Sequence, residues 1–499
     1  MRSSNTLLFV RGVLLMAVAI AVFFGLELAL DVAGGGYPLD RLAFFDVADA
    51  RHFNNLLNRS LNQLLGVVFT TVAIAVPLTA NLYSLKFLEF FIQDRVNAAV
   101  LILAVLVNLG NTWAGYALKA NQIPVLQLNF IFLLSIVSFA LLFPYLYYIF
   151  RFLHPSTLLA RLENENVSDL RAASRRPGIK RGEVAANLEH LANIALRSVE
   201  RGDRNTAIEG VLALERALRH YWTVKPGLPP AWFEADQNFF LGFSSAAVDD
   251  LTASRSWVEM KLFGQLQQVV GAAIGRMPDV TSTCAKSLRK LGLEAAARSD
   301  PALRELVAEY FNTLIRLALN RRDARAVFTV FDQYRLFAET INAEYPDLAL
   351  EIAFYFQYYG QVARDTQQTF VAEAVAYDLG ALVQAAWKTG APNREQLLER
   401  FLHYDEQARH PLKGVKKAQA ILASALLQYG QPQAAATIQA AWRHLEPDLV
   451  RQVRDELLFV QREKFWEVNE RRMNIDYVPA PQRERLHDFF AALEAAAGA

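Results

Sequence analysis

Cysteine is almost missing. Cys284 is the only one in 499 residues, which excludes an intrachain disulfide framework and any multi-cysteine metal site. A lone cysteine of this kind reads as a small buried side chain. The eight histidines are scattered, and none recurs at a metal-ligand spacing. There is no Gly-rich phosphate loop. A nucleophile elbow is lacking too, because Gly242-Phe243-Ser244-Ser245-Ala246 has no second glycine. Net charge is close to nil at +1. Without a basic-aromatic strip, nucleic acid is not expected as a partner. The expectation is no catalytic residues, no metal, no cofactor and no enzyme.

Charge is also unevenly missing. Residues 1–150 hold 8 Lys/Arg and 7 Asp/Glu, and the rest hold 43 of each. The front of the chain reads as membrane-embedded, and the remainder as an ordinary charged domain. Four apolar runs approach the roughly 20 residues that cross a bilayer, at about 12–30, 64–83, 98–118 and 126–150. The expected organisation is a transmembrane domain over 1–150, a basic juxtamembrane linker over 151–182 and a cytoplasmic helical-repeat domain over 183–499. The densest Lys/Arg cluster beside any span follows the fourth one, from Arg151 to Arg181. By the positive-inside rule both termini are cytoplasmic, in an inner (plasma) membrane. The segment Asp31–Gln63 then forms an outer loop. Glu27 and Asp31 are candidates for an acidic outer mouth. Arg171, Arg175, Arg176, Lys180 and Arg181 are candidates for lipid headgroups, against the simpler role of fixing topology.

Two spans carry polar stripes. At 100° per residue, Gly66, Thr70, Ala73, Pro77, Asn81 and Ser84 share one face of the second span. Val68, Val72, Ala75 and Val76 lie opposite. Thr71 and Thr79 fall off the stripe, where hydroxyls bond back to carbonyls one turn earlier. In the third span Ala104, Asn108, Asn111, Thr112, Gly115 and Lys119 share a face. Thr70, Pro77, Asn81, Asn108, Asn111 and Thr112 are therefore either helix-packing groups or the lining of a wet path. The connection SLKFLEFFIQDRVN is expected to prolong the second helix, with Leu85, Leu88, Phe91 and Ile92 on its apolar side. Asp94 and Arg95 are placed for a local ion pair.

The stretches GVVFTTVAIAV and FIQDRVNAAVLILAVL resemble a family of bacterial membrane proteins that is a domain of unknown function. NIALRSVERGDRNTAIEGVLALERAL (Asn193 to Leu218) resembles that family's cytoplasmic helical block. The resemblance implies a bacterial membrane protein and carries no activity.

From Ser156 onward the composition is helical, rich in Ala, Leu, Glu, Arg and Gln. Leu196–Tyr221, Ile315–Glu339 and Ala423–Asp448 each read as helix, polar turn, helix, with Ala207, Ala326 and Ala435 opening the second helix. The third resembles a tetratricopeptide unit. Gly390 and Gly430 lie 40 residues apart, so the repeats are degenerate. The fold class expected is all-α: four membrane helices, then an irregular solenoid or bundle. The aromatic stretch His220–Ser245 interrupts it, either as an insertion packing on the repeats or as a patch that faces a partner or the membrane. Two functions follow. One is an oligomeric, channel-like pore for ions or small solutes, gated or assembled by the cytoplasmic domain. The other is a membrane-anchored scaffold or sensor whose repeats bind a protein partner. Lipids and a second copy of the chain are the other expected partners.

Overall fold

Long runs with apolar residues at helical spacing and few breakers make every regular element α-helical or a short 3₁₀ turn among the described residues. The computed structural model describes residues 47–84, 86–118, 125–173, 177–404, 411–465 and 473–497, with positions 14, 18, 22, 175 and 471. Apart from positions 14, 18 and 22, the expected first span, with Glu27 and Asp31, lies outside them. The chain divides into two units, Met1–Glu165 and Asn166–Ala499.

In the first unit α1 runs Val47–Leu82, α2 Lys86–Ile92, α3 Arg95–Ala117 and α4 Val125–Phe152, and α5 opens at Pro155 and runs to Ala173. Among the described residues three helices are long and apolar enough to cross a membrane: Val47–Leu82, Arg95–Ala117 and Phe130–Phe152. At 1.5 Å per residue α3 measures about 34 Å, enough to cross, whereas α1 reaches about 54 Å. This corrects the outer loop, since residues 47–63 are helical and continuous with the second span. α1, α3 and α4 pack together, with Val68 against Tyr145 and Ile149 and Ala50 against Ala114, Leu128 and Ile131. Their outward faces stay apolar: Ile74 and Leu78 on α1, Leu106 and Leu109 on α3, Phe143 and Phe150 on α4 are all more than half exposed. Apolar area on that scale marks a surface that meets a membrane or another protein.

The connection after α1 is also corrected. The helix ends at Leu82, and Ser84 Oγ accepts from the Lys86 N–H at 3.3 Å to start a separate α2. Phe87, Phe90 and Phe91 are the buried side of α2, while Leu88 and Ile92 are exposed. Asp94 then caps α3, its Oδ1 accepting from the N–H groups of Val96 and Asn97 at 3.1 and 3.3 Å.

The second unit holds α6 (Pro177–Arg201), α7 (Arg204–Val224), α8 (Ser245–Ala253), α9 (Trp257–Ala273), α10 (Pro278–Ala297), α11 (Pro301–Asn320) and α12 (Ala324–Ile341). It continues with α13 (Pro346–Asp365), α14 (Thr369–Thr389), α15 (Arg394–His403), α16 (Lys413–Gln428), α17 (Pro432–Ala441), α18 (Pro447–Phe459) and α19 (Ala480–Ala497). They stack in two rows. α6, α9, α11, α13 and α15 follow one another in the first, and α7, α10, α12, α14, α16 and α19 in the second. Each helix touches its row neighbours and its partner across the rows, so burial is shared between adjacent pairs, as in helical-repeat architectures.

Sharp turns recur. Gly202, Arg322, Gln367 and Gly430 all have positive φ, and the next N–H returns to a carbonyl five residues earlier: Asp203 to Ser198, Asp323 to Ala318, Gln368 to Ala363, Gln431 to Leu426. The carboxylates of Asp203 and Asp323 then cap the following helix. Ala207, Ala326 and Ala435 are buried behind these turns. The three look-alike segments are not in one phase, however. The first two pass from the first row to the second, whereas Ala423–Asp448 starts in the second row, on α16. Close approach has a specific cause at Gly210, where a Cβ would lie 2.8 Å from that of Ala195 and force α6 and α7 apart.

Candidate functional site

The polar residues of α3 meet a polar ladder on α1. Asn54, Asn58 and Asn62 recur every four residues and so share a helix face. Asn62 Nδ2 donates to Asn58 Oδ1 at 3.0 Å, and Asn108 Nδ2 donates to Asn62 Oδ1 at 2.8 Å. Asn111 is fully buried and its Nδ2 donates to the Asn54 carbonyl at 3.5 Å. Gly115 makes the approach possible, since a Cβ there would sit 2.5 Å from Asn54 Nδ2. Thr112 is exposed and its Oγ1 donates to the Asn108 carbonyl at 3.0 Å. The sequence reading missed the α1 half of this seam because it treated residues 31–63 as a loop.

The second-span stripe lies elsewhere. Gly66, Thr70, Ala73, Pro77 and Asn81 are exposed on this chain, and Val68, Val76, Thr79 and Ala80 are the buried side. Thr79 Oγ1 donates to the Ala75 carbonyl at 2.9 Å, as its position off the stripe required. Below the asparagine seam α1, α3 and α4 enclose a cavity of about 30 Å³, lined by Leu61, Leu65, Leu103, Ser138 and Tyr145 among others.

Asp94 has a different partner from the one expected. Arg161, not Arg95, binds its Oδ2 at 3.1 Å, and Tyr148 OH donates to Oδ1 at 2.8 Å. The Arg161 guanidinium also stacks over Phe152 at 4.0 Å. This hub ties the α3 cap to the end of α4 and to the body of α5. Of the basic candidates, Lys180 pairs with Asp169 at 2.8 Å and with Glu183, and Arg181 bonds to Glu234. Arg171 and Arg175 are exposed, and Arg176 lies outside the described residues.

In the second unit the aromatic insertion covers the stack. Trp222, Trp232, Phe233 and Phe240 are buried in it, while Leu241 remains 85% exposed. Trp257 Nε1 donates to the Trp232 carbonyl at 2.9 Å. A cleft of about 510 Å³ lies between Asn193, Phe239, Phe243, Lys261, Gln268 and Tyr310. Elsewhere in this unit Glu259 is completely buried and accepts from Trp222 Nε1 at 3.0 Å and Lys225 Nζ at 2.6 Å. Burial pushes its pKa up, and Lys225 opposes this without cancelling it. A folded-state pKa above the unfolded value means stability that is full below the unfolded pKa and lost as pH rises through the folded one. Glu259→Gln removes that titration. The variant is therefore expected to gain stability relative to wild type as pH rises above the ordinary glutamate range, read by paired thermal melts across a pH series. A pH-independent difference would contradict the assignment.

A second buried charge cluster joins distant parts of the chain. Arg471 Nη1 and Nη2 hold the two carboxylate oxygens of Asp378 at 2.6 and 2.7 Å, and Nη2 also donates to the Phe328 carbonyl at 3.0 Å. The guanidinium lies 3.7 Å from the Phe328 ring centre. Arg335 Nε reaches Asp378 Oδ1 at 3.1 Å, and Arg335 also binds Asp332 and Glu339. Burial works against the Arg335 charge, but the three carboxylates overcome it and raise its pKa. Five residues on, Asp476 Oδ2 accepts from Lys417 Nζ at 2.8 Å, and Asp476 Oδ1 accepts from Tyr377 OH. No sequence signal links these positions. Among the described residues no group of three or more His, Cys, Asp or Glu is placed to hold a metal ion. Cys284 is buried, and burial pushes its thiol up to about 12.

No family model matches the chain, and no curated protein matches it. The resemblance to a bacterial membrane-protein family thus has no counterpart in these comparisons. One solved structure that is similar is described as a circular tandem repeat protein with novel repeat topology and enhanced subunit contact surfaces. It shares 12% identity over 90% of this chain and 97% of its own, at a TM-score of 0.26. Nothing is transferred from so distant a likeness.

Proposed function

We propose that this protein is a membrane-anchored scaffold. α1, α3 and α4, with the segment 12–30 as a further span, hold it in a bacterial inner membrane, and the stacked helices bind a protein partner on the cytoplasmic side. The observation that carries this reading is the use of Asn108 and Asn111. Both bond to α1 of the same chain, which leaves them as helix glue and not as the wall of a path. Trp113 and Tyr116 are exposed toward the end of α3, where an interfacial aromatic belt belongs, so the seam runs from Asn108 near the middle of the span to Gly115 near that interface, and bonding to α1 is what makes the deeper amides tolerable. The basic residues from Arg151 to Arg181 orient the second unit to the cytoplasm.

The pore remains a second reading on one observation. The exposed face of Thr70, Pro77 and Asn81 is polar enough to surround an oligomer axis. Reconstitution in liposomes separates the two. The scaffold passes neither ions nor small entrapped dyes at any protein-to-lipid ratio. A steady flux that Asn81→Leu abolishes would establish the pore and overturn the scaffold.

A further inference from the structure

We propose that the second row of helices carries a groove for an extended segment bearing an arginine and, five residues later, a carboxylate, and that Arg471 and Asp476 fill its two pockets in cis until a partner's segment replaces them. This deepens the scaffold reading and rests on it. The groove crosses α12, α14 and α16. Its arginine pocket is made by the Phe328 ring and carbonyl together with the Asp378 and Asp332 carboxylates. Its carboxylate pocket is made by Lys417 and Tyr377. The paired, forked contact on Asp378 selects arginine over lysine, because only a guanidinium presents two parallel N–H groups and a flat face for the ring.

Two features make the cis segment exchangeable. Its two groove contacts, at Arg471 and Asp476, are made by charged side chains, whereas α19 beyond it is anchored by the buried apolar Leu486, Phe489 and Phe490. Each groove charge also has a second partner within the stack. Asp378 keeps Arg335, and Lys417 keeps Glu456 at 2.7 Å. Departure of residues 471–476 therefore strands no groove charge, which is the condition that usually forbids opening a buried ion pair. The partner class that fits is an extended peptide with complementary charges at the same spacing.

The test uses the full chain in detergent and a fluorescent peptide of this chain's residues 461–479. Wild type is expected to bind it weakly, because the tethered copy competes at high effective concentration. Arg471→Ala/Asp476→Ala vacates both pockets and should bind the peptide at least about tenfold tighter than wild type. It should bind a peptide carrying alanine at position 471 at least about tenfold more weakly than the native peptide. Arg471→Lys, which keeps a cation beside Asp378 and so guards against misfolding, should fall between wild type and the double variant. Equal binding by wild type and both folded variants, or no loss with the alanine peptide, would overturn the proposal. That result leaves the scaffold reading standing, since liposome flux tests it separately.

Discussion

Asp378→Ala is expected to destabilise the second unit by about 3–5 kcal/mol, the range for removing one partner of a buried ion pair. Asp378 is 1% exposed and Arg471 5% exposed at the side chain. Without the carboxylate, Arg471 keeps only the Phe328 carbonyl and an Asp332 oxygen at 3.6 Å. Arg335 retains Asp332 and Glu339, which places the loss on Arg471 and not on both arginines. Thermal unfolding of the full chain, followed by the near-ultraviolet signal of the second unit, measures the effect. Asp378→Leu combined with Arg471→Met should recover part of it, because a well-packed apolar pair avoids the desolvation of two ions. A loss below about 1 kcal/mol in the single variant would mean that the pair is solvated in solution.

Trp257→Ala should cost a similar amount, about 3–5 kcal/mol. The ring is completely buried, with centroids 5.3 Å from Trp232 and 5.7 Å from Phe239. Its removal opens a cavity and also deprives the Trp232 carbonyl of its donor. The aromatic insertion should loosen first, since Trp257 is the wall it rests on. Hydrogen exchange should therefore rise over residues 228–243 more than over α12 and α14. Trp257→Phe keeps much of the volume but loses the N–H, and should cost less than half as much. Uniform exchange across the unit would show that the insertion is not a separate cover.

Much of the architecture was legible because it depends on local chemistry. Helical spacing announced α3 and α4 within a few residues of their observed ends. Glycine in turn positions marked Gly390 and Gly430, both of positive φ. Arg322 and Gln367 adopt the same left-handed turn without glycine; the first was still legible from the polar turn within Ile315–Glu339, whereas the second had no such signal. The start of α1 was misread because Arg51, Asn54, Asn55, Asn58 and Arg59 resemble loop composition. The four-residue recurrence of Asn54, Asn58 and Asn62 was the available clue. Asp94 with Arg161 and Asp378 with Arg471 are 67 and 93 residues apart. Only the tertiary fold brings them together, so no spacing rule finds them.

Thiol labelling tests the role of the α3 asparagines most directly. Cys284 is buried and protonated, so the background is silent. In folded full-length protein in sealed vesicles, Asn111→Cys should resist a membrane-impermeant thiol reagent applied from either side and react only after denaturation. Arg175→Cys, at an exposed position, should react at once from the side it faces. If Asn111→Cys is modified as fast as Arg175→Cys, the α3 face meets water in the native protein and the scaffold account is wrong.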